Sequence, residues 1–173
     1  MSDWFPGAAL RLGLTETILE RMHHVPSLTG DRLVAIMLEK DCGKLLLLDA
    51  RAPEEFRESH IEGAVRIDPE TTAPEFRKRF PAGLEEKTVV AYCSVGERSA
   101  VLLERLLDLI MEMGAKDAYN LKGGIFRWHA DGREVVDEKG PTDRMHPCNA
   151  LWGMLVVPRG DQTADPSGTA SGQ

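Results

Sequence analysis

Apolar positions along this chain come in two alternating patterns. Residues 45–49 read LLLLD and residues 88–93 read TVVAYC. Short runs that are apolar on both faces and end at polar or turn residues are the mark of strands buried in a parallel sheet. VPS from Val25, AVRI at 64–67 and AYN at 118–120 predict three further short strands, and a final EVV a fourth. Between them lie helical stretches. Thr29 can cap a helix running through DRLVAIMLEK, with Gly43 just past its end. Pro53 opens PEEFRESH, Pro74 opens another short helix, and Gly123-Gly124 starts IFRWHADG. The longest helix is predicted over 97–113. Glu104, Asp108 and Glu112 share its wet face, Leu102, Leu103, Leu106, Leu107, Ile110 and Met113 line its buried side, and Gly114 ends it. Strands and helices in this order predict an α/β fold with a mostly parallel central sheet flanked by helices on both faces.

The two ends follow different patterns. Residues 1–24 form a leader in which Leu14, Ile18, Leu19 and Met22 recur at helical spacing, predicting a short helix. The α/β domain is expected over 25–137 and an apolar extension over 138–157, carrying Met145, Leu151, Trp152, Met154, Leu155 and Val156. That extension is expected to pack back on the domain, because leaving it exposed would invite aggregation; a docking patch for a partner is the alternative. From 158 onward the chain has no large apolar residue and is expected to be a disordered tail.

Composition narrows the function classes. With 173 residues, 42% hydrophobic and 28% charged, the chain has the make-up of one globular domain. A core of this size buries roughly 70% of the unfolded surface, so neither a metal nor a disulfide is required. The 28 acidic residues outnumber 21 basic ones, for a net charge of -7 with no basic block, which argues against nucleic acid and anionic membranes. The longest apolar runs, such as LWGMLVV at 151–157, fall short of the ~20 residues of a membrane helix. The opening MSDWFPGAALRLGL does not read as a secretory signal. Cys42, Cys93 and Cys148 are odd in number and form no C-x-x-C, so they read as reduced thiols in a cytoplasmic setting. His23, His24, His129 and His146 show no metal-ligand spacing, and no cofactor is implied.

One of the three cysteines is placed for chemistry. Cys93 closes a buried strand, and SVGERS leads from it directly into the longest helix. Ligands of open α/β sheets gather at the carboxyl ends of the strands. Gly96 can take positive φ, and the first helical N–H groups are unpaired and point back at the loop, a nest that stabilises a thiolate or a bound anion. Cys93 is therefore the candidate nucleophile, with a buried core cysteine as the alternative. Cys42 and Cys148 lack that placement and read as structural.

Three blocks, LLLLDARAPEEFRESHIEGAVRI, VVAYCSVGERSA and NLKGGIFRWHADGREVV, resemble the rhodanese domain in order and spacing, over roughly Val25 to Val136. Single-domain rhodaneses carry a C-x-x-G-x-R-S loop, present here as Cys93, Gly96, Arg98 and Ser99. The resemblance implies sulfur transfer without a cofactor. Cys93 would attack a sulfane sulfur, hold it as a persulfide and pass it to a thiol or cyanide acceptor. The backbone N–H groups of Ser94, Val95, Gly96, Glu97, Arg98 and Ser99 would cradle the charged sulfur, since a persulfide anion needs preorganised donors more than a general base. The implied partners are small sulfur donors and thiol acceptors, including a persulfide-carrying or thioredoxin-like protein. Cysteine phosphatases need C-x5-R to wrap a tetrahedral phosphate, whereas Arg98 stands at C-x4-R, a smaller loop suited to one sulfur atom.

The resemblance also implies supporting residues. Asp49 and Arg51 are the family's D-x-R segment, and Asp49 is expected to pair with Arg98 and so fix the loop. Arg51 and His60 are expected to be structural, and Ser59 replaces a glycine of the family's G-H-I-x-G-A, a change to a turn. Ser94 is neutral and Glu97 offsets Arg98, so the side chains of 94–99 sum to zero charge. Thiosulfate-using rhodaneses often place Arg or Lys there, so this chain is expected to favour a thiol persulfide or a partner protein over small dianionic donors. The alternative is a rhodanese-like module that binds or regulates a partner without turnover. Such silent members usually lose the cysteine, and this chain keeps it.

Overall fold

The structure is a computed structural model that describes residues 7–39, 44–148 and 155–156. In chain order the elements are α1 (Ala8–Met22), β1 (Ser27–Leu28), α2 (Gly30–Leu38), β2 (Leu45–Asp49), α3 (Pro53–Glu58), β3 (Val65–Arg66), α4 (Ala73–Arg79), β4 (Thr88–Tyr92), α5 (Glu97–Glu112), β5 (Asp117–Leu121), α6 (Gly124–Ala130), β6 (Val135–Asp137) and β7 (Gly140–Thr142). Five strands form one sheet in the order β1-β5-β4-β2-β3, every pair parallel. The expected α/β architecture is what the chain forms.

Local chemistry sets most helix starts. The Thr29 hydroxyl accepts the Arg32 N–H at the head of α2. Pro53 begins α3, where the Glu55 carboxylate accepts the Ala52 N–H at 2.9 Å. Glu75 does the same for the Thr72 N–H at α4. Gly114 follows α5 in the left-handed region at φ 94°.

Burial alternates along the central strand and so builds two cores. Val90 and Tyr92 join Leu12, Leu33, Leu47, Ile125 and Phe126 on one face, beneath α1, α2 and α6. Val89, Ala91 and Cys93 join Leu48, Phe76, Leu102, Leu103, Leu106 and Ile110 on the other, beneath α4 and α5. Each apolar face is thus covered, as a parallel sheet requires.

Several expectations are corrected in detail. EVV lies outside the parallel sheet: β6 pairs antiparallel with β7, a strand not foreseen, and Val136 bridges His60. Helix α2 stops at Leu38, and Cys42 and Gly43 lie outside the described residues. On α5 Leu107 is only partly buried, while Leu109 takes a core position. Helix α1 buries Leu12 and Glu16, whereas Leu14, Ile18 and Met22 are exposed. Of the C-terminal apolar residues, Leu155 is buried, with Met145 and Val156 packed on the same core. Leu151, Trp152, Met154 and everything from 157 onward lie outside the described residues.

Candidate active site

Because β4 is the middle strand, its carboxyl end opens at the centre of the sheet edge, between the ends of β2 and β5. Cys93 leaves that end, only 1% exposed, and the chain turns at Gly96 into α5. Gly96 has φ 105°, a conformation that favours glycine, and its N–H meets the Cys93 sulfur at 3.2 Å. The thiol therefore faces a helix N-terminus, where backbone N–H groups and the helix dipole favour negative charge.

The loop carbonyls are turned away from the sulfur and tied down elsewhere. The Ile125 and Phe126 N–H groups at the start of α6 donate to the carbonyls of Cys93 and Ser94, at 2.9 and 3.0 Å. Gly124 makes this approach possible, since a Cβ there would lie 2.4 Å from the Cys93 carbonyl oxygen. From β5, Asn120 donates through Nδ2 to the Gly96 carbonyl at 2.9 Å and accepts from the Ser99 hydroxyl through Oδ1 at 2.7 Å. The Ser99 side chain is thus committed to holding the loop.

Arg98 does not meet Asp49, contrary to the sequence expectation. It makes a two-pronged pair with Glu55 of α3, Nη1 to Oε2 at 2.8 Å and Nη2 to Oε1 at 2.9 Å, and it also donates to the Ser94 hydroxyl at 2.9 Å. That hydroxyl donates in turn to Glu55 at 3.0 Å. Asp49 instead pairs with Arg51, whose Nη2 lies 2.6 Å from Oδ2, both side chains fully buried. Strand alternation is the reason: Asp49 shares the face of Leu47 and the register of Tyr92, away from Cys93. Arg51 also donates to the Ser59 carbonyl at 2.5 Å. Ser59 is extended (φ -167°), so glycine is not needed there. His60 is stacked on Phe56 with its Nδ1 2.9 Å from the Phe56 carbonyl.

These contacts set the local electrostatics. Burial pushes the Glu55 carboxyl up, but hydrogen bonds from Arg98 and the Ala52 N–H, the charge of Arg98 and the Ser94 hydroxyl outweigh it and hold Glu55 at about 2 against an ordinary 4.5. Burial alone would lower Arg98, yet the bonds to Glu55 and the nearby thiols raise it. Arg98 is thus neutralised by Glu55, while Glu97 is exposed. A cleft beside the loop, lined by Val95, Asn120 and Gly123, adds Glu16 and Glu20 against Lys122. No surplus positive charge faces the loop from these groups.

Cys148 is also brought here, although its place in the sequence marked it as structural. Its sulfur lies 3.6 Å from Nη2 of Arg98, across 50 residues of chain. Glu55, Asn120, Gly124 and Cys148 all escaped the sequence reading. In the sequence Gly124 stands out only as part of a helix start and Cys148 only as a structural thiol, while Glu55 and Asn120 carry no local signal. Among the described residues no group of three or more His, Cys, Asp or Glu could hold a metal, and no helix is long and apolar enough to cross a membrane.

Comparison with known proteins bears on the fold and the family. The chain is 28% identical over 127 residues to the tRNA uridine(34) hydroxylase of Acinetobacter baumannii (strain AYE), covering 60% of this chain and 38% of that protein. It is 36% identical over 86 residues to the probable adenylyltransferase/sulfurtransferase MoeZ of Mycobacterium tuberculosis (strain H37Rv), covering 49% of this chain and 20% of that one. The chain thus spans well under half the length of either relative. Among solved structures, thiosulfate sulfurtransferase from Pseudomonas aeruginosa superposes with a TM-score of 0.57 at 20% identity, over 81% of this chain and 25% of that one. The BH2092 protein from Bacillus halodurans gives 0.54 at 20%, over 74% and 87%. At such identities the two structures show a shared fold. Residues 34–131, more than half of the chain, match the model of the rhodanese-like domain, and the protein belongs to that family.

Proposed function

We propose that this protein is a sulfurtransferase that carries a sulfane sulfur on Cys93 from a donor to a thiol acceptor. The observation that carries the reading is the position of the Cys93 sulfur, 3.2 Å from the Gly96 N–H at the head of α5. The loop carbonyls are bonded to α6 and β5, which leaves the N–H side of the loop to face charge on sulfur. In the first half-reaction the Cys93 thiolate attacks the sulfane sulfur of the donor. A new S–S bond forms and the donor leaves as its thiolate or, from thiosulfate, as sulfite. In the second, an acceptor thiolate attacks the outer sulfur of the persulfide, and Cys93 leaves as a thiolate. Arg98 and Glu55 act as positioning residues that hold the loop.

The charge around the loop favours a thiol persulfide, free or on a partner protein, over thiosulfate, because Glu55 has already neutralised the one loop arginine. A persulfide-carrying or thioredoxin-like protein fits as partner, and a reducing cytoplasmic setting fits the free thiols. The similarity to MoeZ, a probable adenylyltransferase/sulfurtransferase, is in keeping with this chemistry.

The test is intact-mass analysis after incubation with glutathione persulfide or thiosulfate, wild type against Cys93→Ser. A Cys93-dependent gain of sulfur, with higher kcat/KM for the thiol persulfide, is the expected result. No gain with any donor would instead point to a partner-binding module. A clear preference for thiosulfate would refute the charge argument.

A further inference from the structure

Among the described residues there are two free cysteines, Cys93 and Cys148; Cys93 begins the loop, and Cys148 lies against Arg98 of the same loop, whose Nη2 is 2.9 Å from the hydroxyl of Ser94, the residue after Cys93. Cys148 has its sulfur 3.6 Å from Nη2 of Arg98, with Ser94 and Glu55 as its other polar neighbours. Cys93 is almost fully buried beneath the loop, whereas Cys148 is half-buried at its rim. Three residues before Cys148, the Met145 sulfur lies 4.0 Å from the Ser59 hydroxyl. Cys148 itself has φ 64°, unusual for a residue with a side chain, and its N–H donates to Nδ1 of His146 at 3.0 Å.

A half-buried thiol beside the same loop can take sulfur from so deeply buried a carrier and offer it to larger acceptors. We propose that Cys148 is the first acceptor, a relay thiol that takes the sulfane sulfur from Cys93 and presents it at the rim; this rests on the reading that Cys93 becomes a persulfide. In the step, the Cys148 thiolate attacks the outer sulfur of Cys93–S–SH. The S–S bond at Cys93 breaks as a new S–S bond forms at Cys148, and the electron pair of the broken bond leaves on Cys93. The products are Cys93–S⁻ and Cys148–S–SH, so charge, protons and oxidation state balance without a further reagent. The persulfide lengthens the Cys93 side chain by about 2 Å. Negative charge moves from Cys148, beside Arg98, to Cys93, beside the Gly96 N–H, so each end of the transfer has a donor already in place.

Burial pushes the Cys148 thiol up, Arg98 pulls it down, Glu55 opposes Arg98, and the net direction is upward. The relay step therefore draws on the thiolate fraction of Cys148.

The test charges the full chain with glutathione persulfide, caps it with iodoacetamide and maps the sulfur by peptide mass. Wild type, Cys93→Ser and Cys148→Ser are compared. Extra sulfur is expected on both the Cys93 and Cys148 peptides of the wild type and on neither in Cys93→Ser. Cys148→Ser is expected to load Cys93 but to discharge it to reduced thioredoxin at least about tenfold more slowly. The relay is overturned if Cys93 loads and Cys148 never does, or if Cys148 loads equally in Cys93→Ser. A Cys93–Cys148 disulfide with one sulfide released also overturns it, because attack then falls on the inner sulfur. Failure of Cys93 to load at all refutes the sulfurtransferase reading itself and the relay with it.

Discussion

Glu55→Gln tests the electrostatic account of the loop most directly. The wild-type carboxylate is 3% exposed and carries two bonds from Arg98, one from Ser94 and one from the Ala52 N–H. Its drop from 4.5 to about 2 means that folding favours the ionised form, by about 3 kcal/mol at about 1.4 kcal/mol per unit. Removing one partner of a buried pair costs a similar ~3–5 kcal/mol, and the partial exposure of Arg98 argues for the lower end. Glutamine keeps the shape and one acceptor oxygen, so a loss of about 2–3 kcal/mol is expected, small enough to leave a folded protein to measure. The pH dependence carries the sign. Because the folded carboxyl titrates below its unfolded value, its contribution is complete above about pH 4.5 and disappears as pH falls toward about 2. Urea unfolding followed by circular dichroism at pH 7, 5, 4 and 3 is the assay. Other titrating groups are common to both proteins and cancel in the difference. The gap between wild type and variant is expected to be constant from pH 7 to 5 and to narrow at pH 4 and 3. A gap below about 1 kcal/mol at pH 7, or one that does not narrow on acidification, refutes the reasoning.

Two further variants probe the loop mounting. Asn120→Ala strands the Ser99 hydroxyl and the Gly96 carbonyl, both buried, and is expected to cost about 2 kcal/mol and to lower the rate of Cys93 charging, read by denaturation midpoint and by single-turnover mass analysis. Gly124→Ala forces a Cβ to within 2.4 Å of the Cys93 carbonyl oxygen at φ 57°. It is expected to cost at least about 2 kcal/mol and to slow charging more than Ala substitution at the open, equally left-handed Gly132.

The site was legible where its signal was local. Cys93 ends a run that is apolar on both faces, and Gly96 sits where the chain must turn into a helix; both facts depend on neighbours within a few residues. The sequence marks Arg98 as a loop residue but suggests Asp49 of the D-x-R segment as its partner, whereas the structure pairs it with another acid. Its true partner, Glu55, lies 43 residues away and reaches it only because α3 folds back over the loop. Asn120 is further from notice still, since a polar residue in a short strand says nothing about the neighbouring loop until β5 pairs with β4 at Ala91.

Sequence alone thus determined the alternation of strands and helices, the parallel sheet and the strand end that presents Cys93. Those follow from hydrophobic periodicity and turn chemistry, which are properties of short stretches of chain. Tertiary structure decided which acid neutralises Arg98, what locks Gly96 and Ser99, that β6 leaves the sheet for a hairpin, and that Cys148 comes to the rim of the loop. Each of these depends on which face a side chain takes and which elements become neighbours. Strand alternation sends Asp49 to one side of the sheet and Cys93 to the other, and packing alone brings together thiols from distant parts of the chain.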